Sequence, residues 1–424
     1  MAHPGWRARI RLAVLSSASV LLAASAVRAQ GVVADSAALP RYVTALSYTG
    51  EVVANVRGGA GRGAAYVGLG GAEITLIMPR LVGWPGATIF LSALGEHGGA
   101  PSDLVGDVQG VSNLETEPVL RLGEAWLQQN VLENRMSWLV GLYDVNAEFY
   151  RLTSGALFIN SSFGTGPEFA QSGRAGLAHF PNPGLGSRVE LDPLPNVAWR
   201  FAVGTPSRRE VGGVRLAAPG SDVLFVSELA VVARADTMGV PRQRRFRPIG
   251  RGLPRPYAAK AALGAWYYPG RFPDLVDTLA TGAPVRHRGS AGLYLLGDAT
   301  VWSAGEGRPQ ALTAFAQLGV GDARVEQVRG YVGGGLTFSA LFPGREDDAI
   351  GLGVAAALNG SHFERAQEAI GIPAAGETAV ELTYLAEFGD WLAIQPDAQL
   401  VVHPGGTRAT RNALVFGLRV AVSR

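Results

Sequence analysis

Apolar residues alternate with small or polar ones along the last strand-length stretch of the chain. Leu414, Phe416, Leu418, Val420 and Val422 interleave with Val415, Gly417, Arg419, Ala421 and Ser423. Successive residues of a strand point to opposite faces, so this segment has one continuous greasy face and one small or polar face. A soluble sandwich hides such a face behind a second sheet, whereas a transmembrane barrel points it at lipid.

The same period-2 pattern, punctuated by Gly, Pro, Asn and Asp, recurs along the chain and predicts about sixteen strands. The first eight lie near 46–56, 64–78, 86–95, 119–131, 135–143, 185–191, 196–204 and 223–234. The second eight lie near 257–267, 290–302, 310–320, 329–340, 348–358, 377–388, 391–402 and 412–424. Short links at 84–86, 133–134, 192–195 and 389–390 mostly alternate with long ones at 96–118, 144–184, 205–222, 268–289 and 359–376. Short periplasmic turns and long external loops produce that alternation. The stretch 235–256 breaks it, being long where a short turn is expected, and reads as an insertion.

The polar faces decide between a packed core and a channel. Val380, Leu382, Tyr384 and Phe388 oppose Glu381, Thr383 and Glu387; Leu392, Ile394, Ala398, Leu400 and Val402 oppose Gln395, Asp397 and Gln399. Acids and amides facing inward are costly in a dry core and ordinary in a wet lumen. The expected fold is all-β, an antiparallel transmembrane barrel.

Residues 1–29 read as a secretory signal peptide. Arg7, Arg9 and Arg11 precede an apolar run from Leu12 to Ala26, and Val27-Arg28-Ala29 resembles a cleavage site before Gln30. The run is too short to span a bilayer as a helix. Residues 30–45 are expected as an N-terminal periplasmic segment and 46–424 as the barrel. Cleavage removes four arginines and moves the net charge from +2 to −2, so the basic precursor gives no reason to expect nucleic acid as a partner. The arginines 242, 244, 245 and 247 read as a solvated loop or a contact to anionic head groups. There is no cysteine, which excludes disulfides and thiolate sites. Charged residues make up 17% of the chain against about 25% in an ordinary globular domain.

Several blocks resemble the OprB-type carbohydrate-selective porins. They include T-G-E-V-V-A-N-V-R-G-G at 49–59, W-P-G-A-T-I-F-L-S-A-L-G-E-H-G-G at 84–99, L-R-L-G-E-A-W-L-Q-Q at 120–129 and G-L-Y-D-V-N-A-E-F at 141–149. A-L-F-I-N-S-S-F-G-T-G-P-E at 156–168, I-Q-P-D-A-Q-L-V-V-H-P-G-G-T at 394–407 and N-A-L-V-F-G-L-R at 412–419 follow in order. The resemblance implies a 16-stranded barrel in the Gram-negative outer membrane, passing glucose-like monosaccharides by diffusion through a constricted lumen. It also implies contact with outer-membrane lipid and lipopolysaccharide and insertion by the barrel-assembly machinery; the oligomeric state stays open. Members of the family end in an aromatic residue that assists assembly, and this sequence departs from them with Arg424.

A sugar pore needs closely spaced donors and acceptors and an aromatic surface, each contact weak enough to release. The long loop 144–184 is expected to fold inward, offering Asp144, Asn146, Glu148, Asn160, Ser161, Glu168, Gln171 and Arg174. In loops, such side chains more often satisfy their own backbone. Glu124, Trp126 and Gln128 share one strand face, which is either the lumen, making Trp126 a stacking platform, or an interfacial belt; the polar partners Glu124 and Gln128 favour the lumen. Glu381, Glu387 and Asp397 are expected inside, near an inward Arg419. No cofactor or metal site is expected. An outer-membrane hydrolase is the enzymatic rival, but His97, His179, His287, His362 and His403 lie in expected loops or strand ends, with no nucleophile elbow nearby. A channel for other solutes or ions is the second rival, disfavoured by the polar lumen, and a structural adhesin or assembly partner the third.

Overall fold

Each alternating segment becomes a strand, and each strand pairs antiparallel with its neighbours until the sheet meets itself. The computed structural model describes residues 40–424 apart from 175, 181, 206–208, 212–213, 217–222, 235–256 and 306–307. The strands are β1 Tyr42–Gly59, β2 Gly63–Ile77, β3 Ala87–Gly98, β4 Val119–Val131, β5 Met136–Tyr143, β6 Gly184–Leu194 and β7 Val197–Thr205. A small hairpin, β8 Arg209–Val211 and β9 Val214–Leu216, forms a two-stranded sheet of its own. Then come β10 Leu224–Arg234, β11 Tyr257–Thr278, β12 Pro284–Ser303, β13 Ala311–Val320, β14 Val328–Ser339 and β15 Ala349–Asn359. The last three are β16 Glu377–Phe388, β17 Leu392–Val402 and β18 Arg411–Ser423. Apart from β8 and β9, these sixteen form one closed barrel in which β1 pairs β18.

The closing seam is the one the terminal strand predicts. Ser47 opposes Ser423, Glu51 opposes Arg419, and the Leu46 and Arg424 backbones exchange two hydrogen bonds of 3.0 and 2.9 Å. Phe416, Leu418, Val420 and Val422 lie exposed outside, while Val415, Arg419 and Ala421 are buried inside. Closure leaves no unpaired edge, which a lipid environment requires. Trp84, Trp138, Trp199, Trp302 and Trp391 are exposed at the end carrying the chain termini and the links 78–86, 132–135, 195–196, 304–310 and 389–391. Indole rings gather at that level of a membrane protein because one end is apolar and the other wet.

Two boundaries differ from expectation. β1 begins at Tyr42, opposite Leu76, four residues before the expected start at 46. More consequentially, 268–289 is not a loop but the continuation of β11 and β12. Arg271 opposes Arg288, Phe272 opposes His287, Pro273 opposes Arg286, and only 279–283 turn between the strands. A tilted crossing strand needs about 9–11 residues; beyond that length the pairing continues in water, where alternation of apolar side chains is no longer required. The signal-peptide residues and the insertion 235–256 lie outside the described residues.

Candidate functional site: the lumen and its inner loops

Two links at the end opposite the chain termini, 99–118 and 144–183, run inward and line the barrel wall. Carboxylates on the wall hold them by accepting backbone N–H groups. Glu124 of β4 takes Asp144 N (2.8 Å), Glu228 of β10 takes Tyr150 N (2.9 Å), and Asp298 of β12 takes Ser154 N (3.2 Å). Glu381 of β16 takes both Ile159 N (2.6 Å) and Asn160 N (2.9 Å). Its neighbour Glu377 grips the other loop at Val108 N (2.9 Å) and Gln109 N (3.0 Å). Amides reach the carbonyls that remain: Gln395 to Leu157 O (2.7 Å), Gln399 to Val111 O (2.8 Å) and Gln317 to Phe163 O (3.0 Å). Irregular backbone at membrane depth needs such partners, because each unpaired buried group costs several kcal/mol.

Between these fixed points the loop buries an apolar face against β10–β17. Phe149, Tyr150, Leu157, Phe158, Phe163 and Phe169 pack with the wall residues Trp266, Tyr294, Phe315 and Tyr331. Two glycines make room. A Cβ at Gly264 would lie 2.0 Å from the Tyr294 ring, and one at Gly292 would lie 2.4 Å from Trp266.

The β2–β7 side of the lumen is different. Trp126 faces inward and stacks on Phe90, ring centroids 5.1 Å apart, and both keep partial exposure. This settles the lumen-or-belt alternative for Glu124, Trp126 and Gln128. Next to them Arg188, fully buried, binds Glu148 with both Nε (2.5 Å) and Nη2 (2.8 Å), Ser137 Oγ (2.5 Å) and Gln128 Oε1 (2.9 Å). Arg200 continues the network to Glu190 (2.5 Å) and Glu228 (3.3 Å), and Lys260 to Glu228 (3.4 Å).

The sequence candidates thus fall into groups. Asp144 accepts Asn146 N, Asn146 bonds Phe149 O and Gly164 O, and Asn160 accepts Ser162 N and bonds Gln399. Ser161 Oγ donates to Ser112 O. All four hold loop backbone. Asp397 accepts from Gln399 Nε2 (2.9 Å), and the Glu387 backbone N–H donates to Asp348. Arg174 sits 5.3 Å over the Phe272 ring at the outer rim. Arg419 is inward, but its ion partner is Glu51 on β1 (2.8 Å), with Asn113 at 2.9 Å, rather than the acids of β16 and β17. β18 pairs β1 directly across the seam, so the opposed carboxylate there reaches first. Sequence reading missed Arg188, Glu377 and Glu51; alternation within β1 places Glu51 in the lumen and could have found it.

A closed barrel with a polar, loop-constricted lumen is a channel, and the comparisons give its class. The model of the carbohydrate-selective porin, OprB family, matches residues 61–423. The chain belongs to that family. Porin B of Pseudomonas aeruginosa is 25% identical over 415 residues, covering 88% of this chain and 86% of that protein. The high-pH structure of Pseudomonas putida OprB superposes with TM-score 0.78 at 21% identity, over 90% of this chain and 94% of that one. The low-pH structure of the same protein gives TM-score 0.55 at 17% identity, over 90% and 92%. The protein is therefore a carbohydrate-selective porin of the Gram-negative outer membrane, and family and fold point to a channel rather than an enzyme.

One group inside this porin's constriction loop responds to pH. Glu168 is 1% exposed; Oε1 accepts from Tyr150 OH (3.1 Å), and among the described residues Oε2 has no hydrogen-bond partner. Burial pushes its pKa from 4.5 up to about 7. The docked loop therefore keeps a proton that the undocked loop releases, and docking weakens as pH rises from about 4.5 to about 7. The total is on the order of 3 kcal/mol at about 1.4 kcal/mol per unit. Asp107 on the other inner loop, raised to about 7 by burial and by Glu377, acts in the same direction. Hydrogen exchange at 149–170, corrected for intrinsic rates, should be slower at pH 5 than at pH 8. Glu168→Gln should flatten that difference; an unchanged pH response in the variant would assign it elsewhere.

Proposed function

We propose that this porin passes small glucose-like sugars past the Phe90–Trp126 ring pair, with Gln128 and Glu148 supplying the polar contacts. Sugars are neutral, rich in hydroxyls and apolar on one face. A stacked aromatic pair beside an amide and a carboxylate offers both kinds of surface without a deep pocket, so contact is followed by release. The observation that carries this reading is the partial exposure of Trp126, Gln128 and Glu148 where Asp144, Asn146, Asn160, Glu124 and Glu381 are buried. We assign the buried set to positioning the loop and the partly exposed set to the sugar.

In proteoliposomes at subsaturating glucose, Trp126→Ala should slow swelling roughly two- to tenfold, matching an aromatic contact of about 0.5–1.5 kcal/mol. Small-ion conductance should stay level or rise, since the truncated side chain leaves more room, and Trp126→Phe should keep most of the sugar flux. A parallel fall in sugar flux and conductance would reduce Trp126 to a wall residue. Swelling unchanged for sugars but altered for amino acids would favour another solute class.

A further inference from the structure

The projecting part of the β11–β12 hairpin meets the β15–β16 link outside the lumen, and a group of metal-ligating side chains converges there. The short helix Ser361–Ala369 in that link places His362 in its first turn. His362 Nδ1 lies 2.9 Å from Asp274 Oδ1, and His287 Nε2 lies 2.7 Å from Asp274 Oδ2. The carboxylate side chain between them is fully buried. Asp274 Oδ1 also accepts the backbone N–H groups of Val276 and Asp277, both at 2.8 Å, and this turn brings the Asp277 side chain round to the same spot. One ligand atom from each of Asp274, Asp277 and His362 lies within 4.8 Å of the other two.

We propose that Asp274, Asp277 and His362 form a binding site for a divalent transition-metal ion of the zinc class, with water completing the coordination. Zinc takes imidazole nitrogen and carboxylate oxygen at about 2.0–2.2 Å in a tetrahedron, which sets ligand atoms about 3.3 Å apart. His362 and Asp274, 2.9 Å apart, need to open slightly, and the widest separation, within 4.8 Å, needs to close by at most about 1.5 Å to reach that spacing. His287 is too far round the carboxylate to share the ion. It holds Asp274 by the other oxygen and fixes the direction in which the first oxygen points, the role outer partners play at such sites. Calcium fits poorly, because it takes six to eight oxygen ligands and one of the three groups here is an imidazole.

The surrounding charges do not attract a cation unselectively. Arg365 Nη1 stands 3.9 Å from Asp277 Oδ1, with both side chains about half exposed, so displacing that contact costs little. Arg286 and Arg288 flank His287 on β12, and the Arg324–Asp322 pair lies on the neighbouring β13–β14 link, whose Arg324 carbonyl accepts Leu275 N at 3.1 Å. Arginines and carboxylates here largely offset one another, so binding rests on directed bonds to imidazole and carboxylate, which a transition metal forms. The spacing in sequence hides the site, since its ligands come from positions 274, 277 and 362. Bound, the ion would cross-link two separate external segments.

Zinc uptake by the detergent-solubilised porin, measured by competition with a chromophoric zinc indicator, tests the assignment without reference to transport. One saturable equivalent is expected, with no uptake of calcium or magnesium. His362→Ala and Asp277→Asn should each weaken binding at least tenfold. His287→Ala should weaken it about 10–100-fold through loss of orientation of Asp274. Heat-modifiable gel mobility confirms that each variant is assembled. Asp277→Asn changes an exposed side chain and carries the test should His362→Ala fail to assemble. No saturable zinc uptake, uptake unchanged in either assembled ligand variant, or preference for calcium would each overturn the proposal.

Discussion

Glu381→Ala is expected to at least double single-channel conductance and to erase much of the discrimination between sugars and small ions. Glu381 is fully buried on β16 and accepts two backbone N–H groups of the constriction loop, from Ile159 and Asn160. Alanine leaves both donors without a partner, and each costs about 1–3 kcal/mol. That penalty falls on the docked state alone, because the undocked loop gives the same groups to water. The neighbouring contacts are mostly single hydrogen bonds, such as Gln395 to Leu157 O and Gln317 to Phe163 O. They do not replace an acceptor that holds two adjacent N–H groups of the loop at once. Glu381→Gln keeps one acceptor oxygen and should fall between wild type and alanine. Planar-bilayer recordings would show the rise directly, and a conductance unchanged in Glu381→Ala would mean that the apolar packing of Phe158 and Phe163 holds the loop unaided.

That role for Glu381 shows where sequence reading reached and where it stopped. Period-2 alternation found all sixteen barrel strands because lipid enforces it on the outer face, residue by residue. It found the inward direction of Glu381, Asp397, Gln399 and Arg419 for the same reason. An inward carboxylate, however, has two uses, facing water or accepting loop backbone, and both leave the same pattern in the strand. Only the folded loop tells them apart. The aromatic lining was hidden by a similar ambiguity. Trp266 and Tyr294 stand beside exposed-face residues of equal hydropathy, so only a few inward polar residues, such as Lys260 on β11 and Asp298 on β12, mark the inner face there. The β11–β12 extension was hidden because pairing in water needs backbone partners rather than alternation. Arg419 was placed on the correct face and given the wrong partners, since the acids of β16 and β17 are nearer in sequence while Glu51 is nearer across the seam.

Arg188→Ala should produce the largest loss of stability among the lumen residues. The guanidinium is wholly buried and donates hydrogen bonds to three side chains and a carbonyl: two to Glu148, two to Ser137 and one to Gln128. Removing one partner of a buried ion pair costs about 3–5 kcal/mol, chiefly because the other charge is left without compensation. Here that charge is Glu148, in the first part of the constriction loop, which also accepts Tyr143 OH at 3.0 Å; its side chain is 18% exposed, so the cost falls toward the lower end of that range. The temperature at which the barrel loses its compact gel mobility should fall, and the channel should become more cation-selective as a fixed positive charge leaves the wall. The paired change Arg188→Met with Glu148→Leu removes both charges and keeps most of the volume, so it should recover most of the lost stability. The cycle separates the two contributions: recovery assigns the cost to the uncompensated carboxylate, while a double variant as unstable as Arg188→Ala assigns it to the lost contacts with Ser137 and Gln128. Selectivity gives an independent reading, because the reversal potential should shift toward cations in the single variant and return toward the wild-type value in the double one.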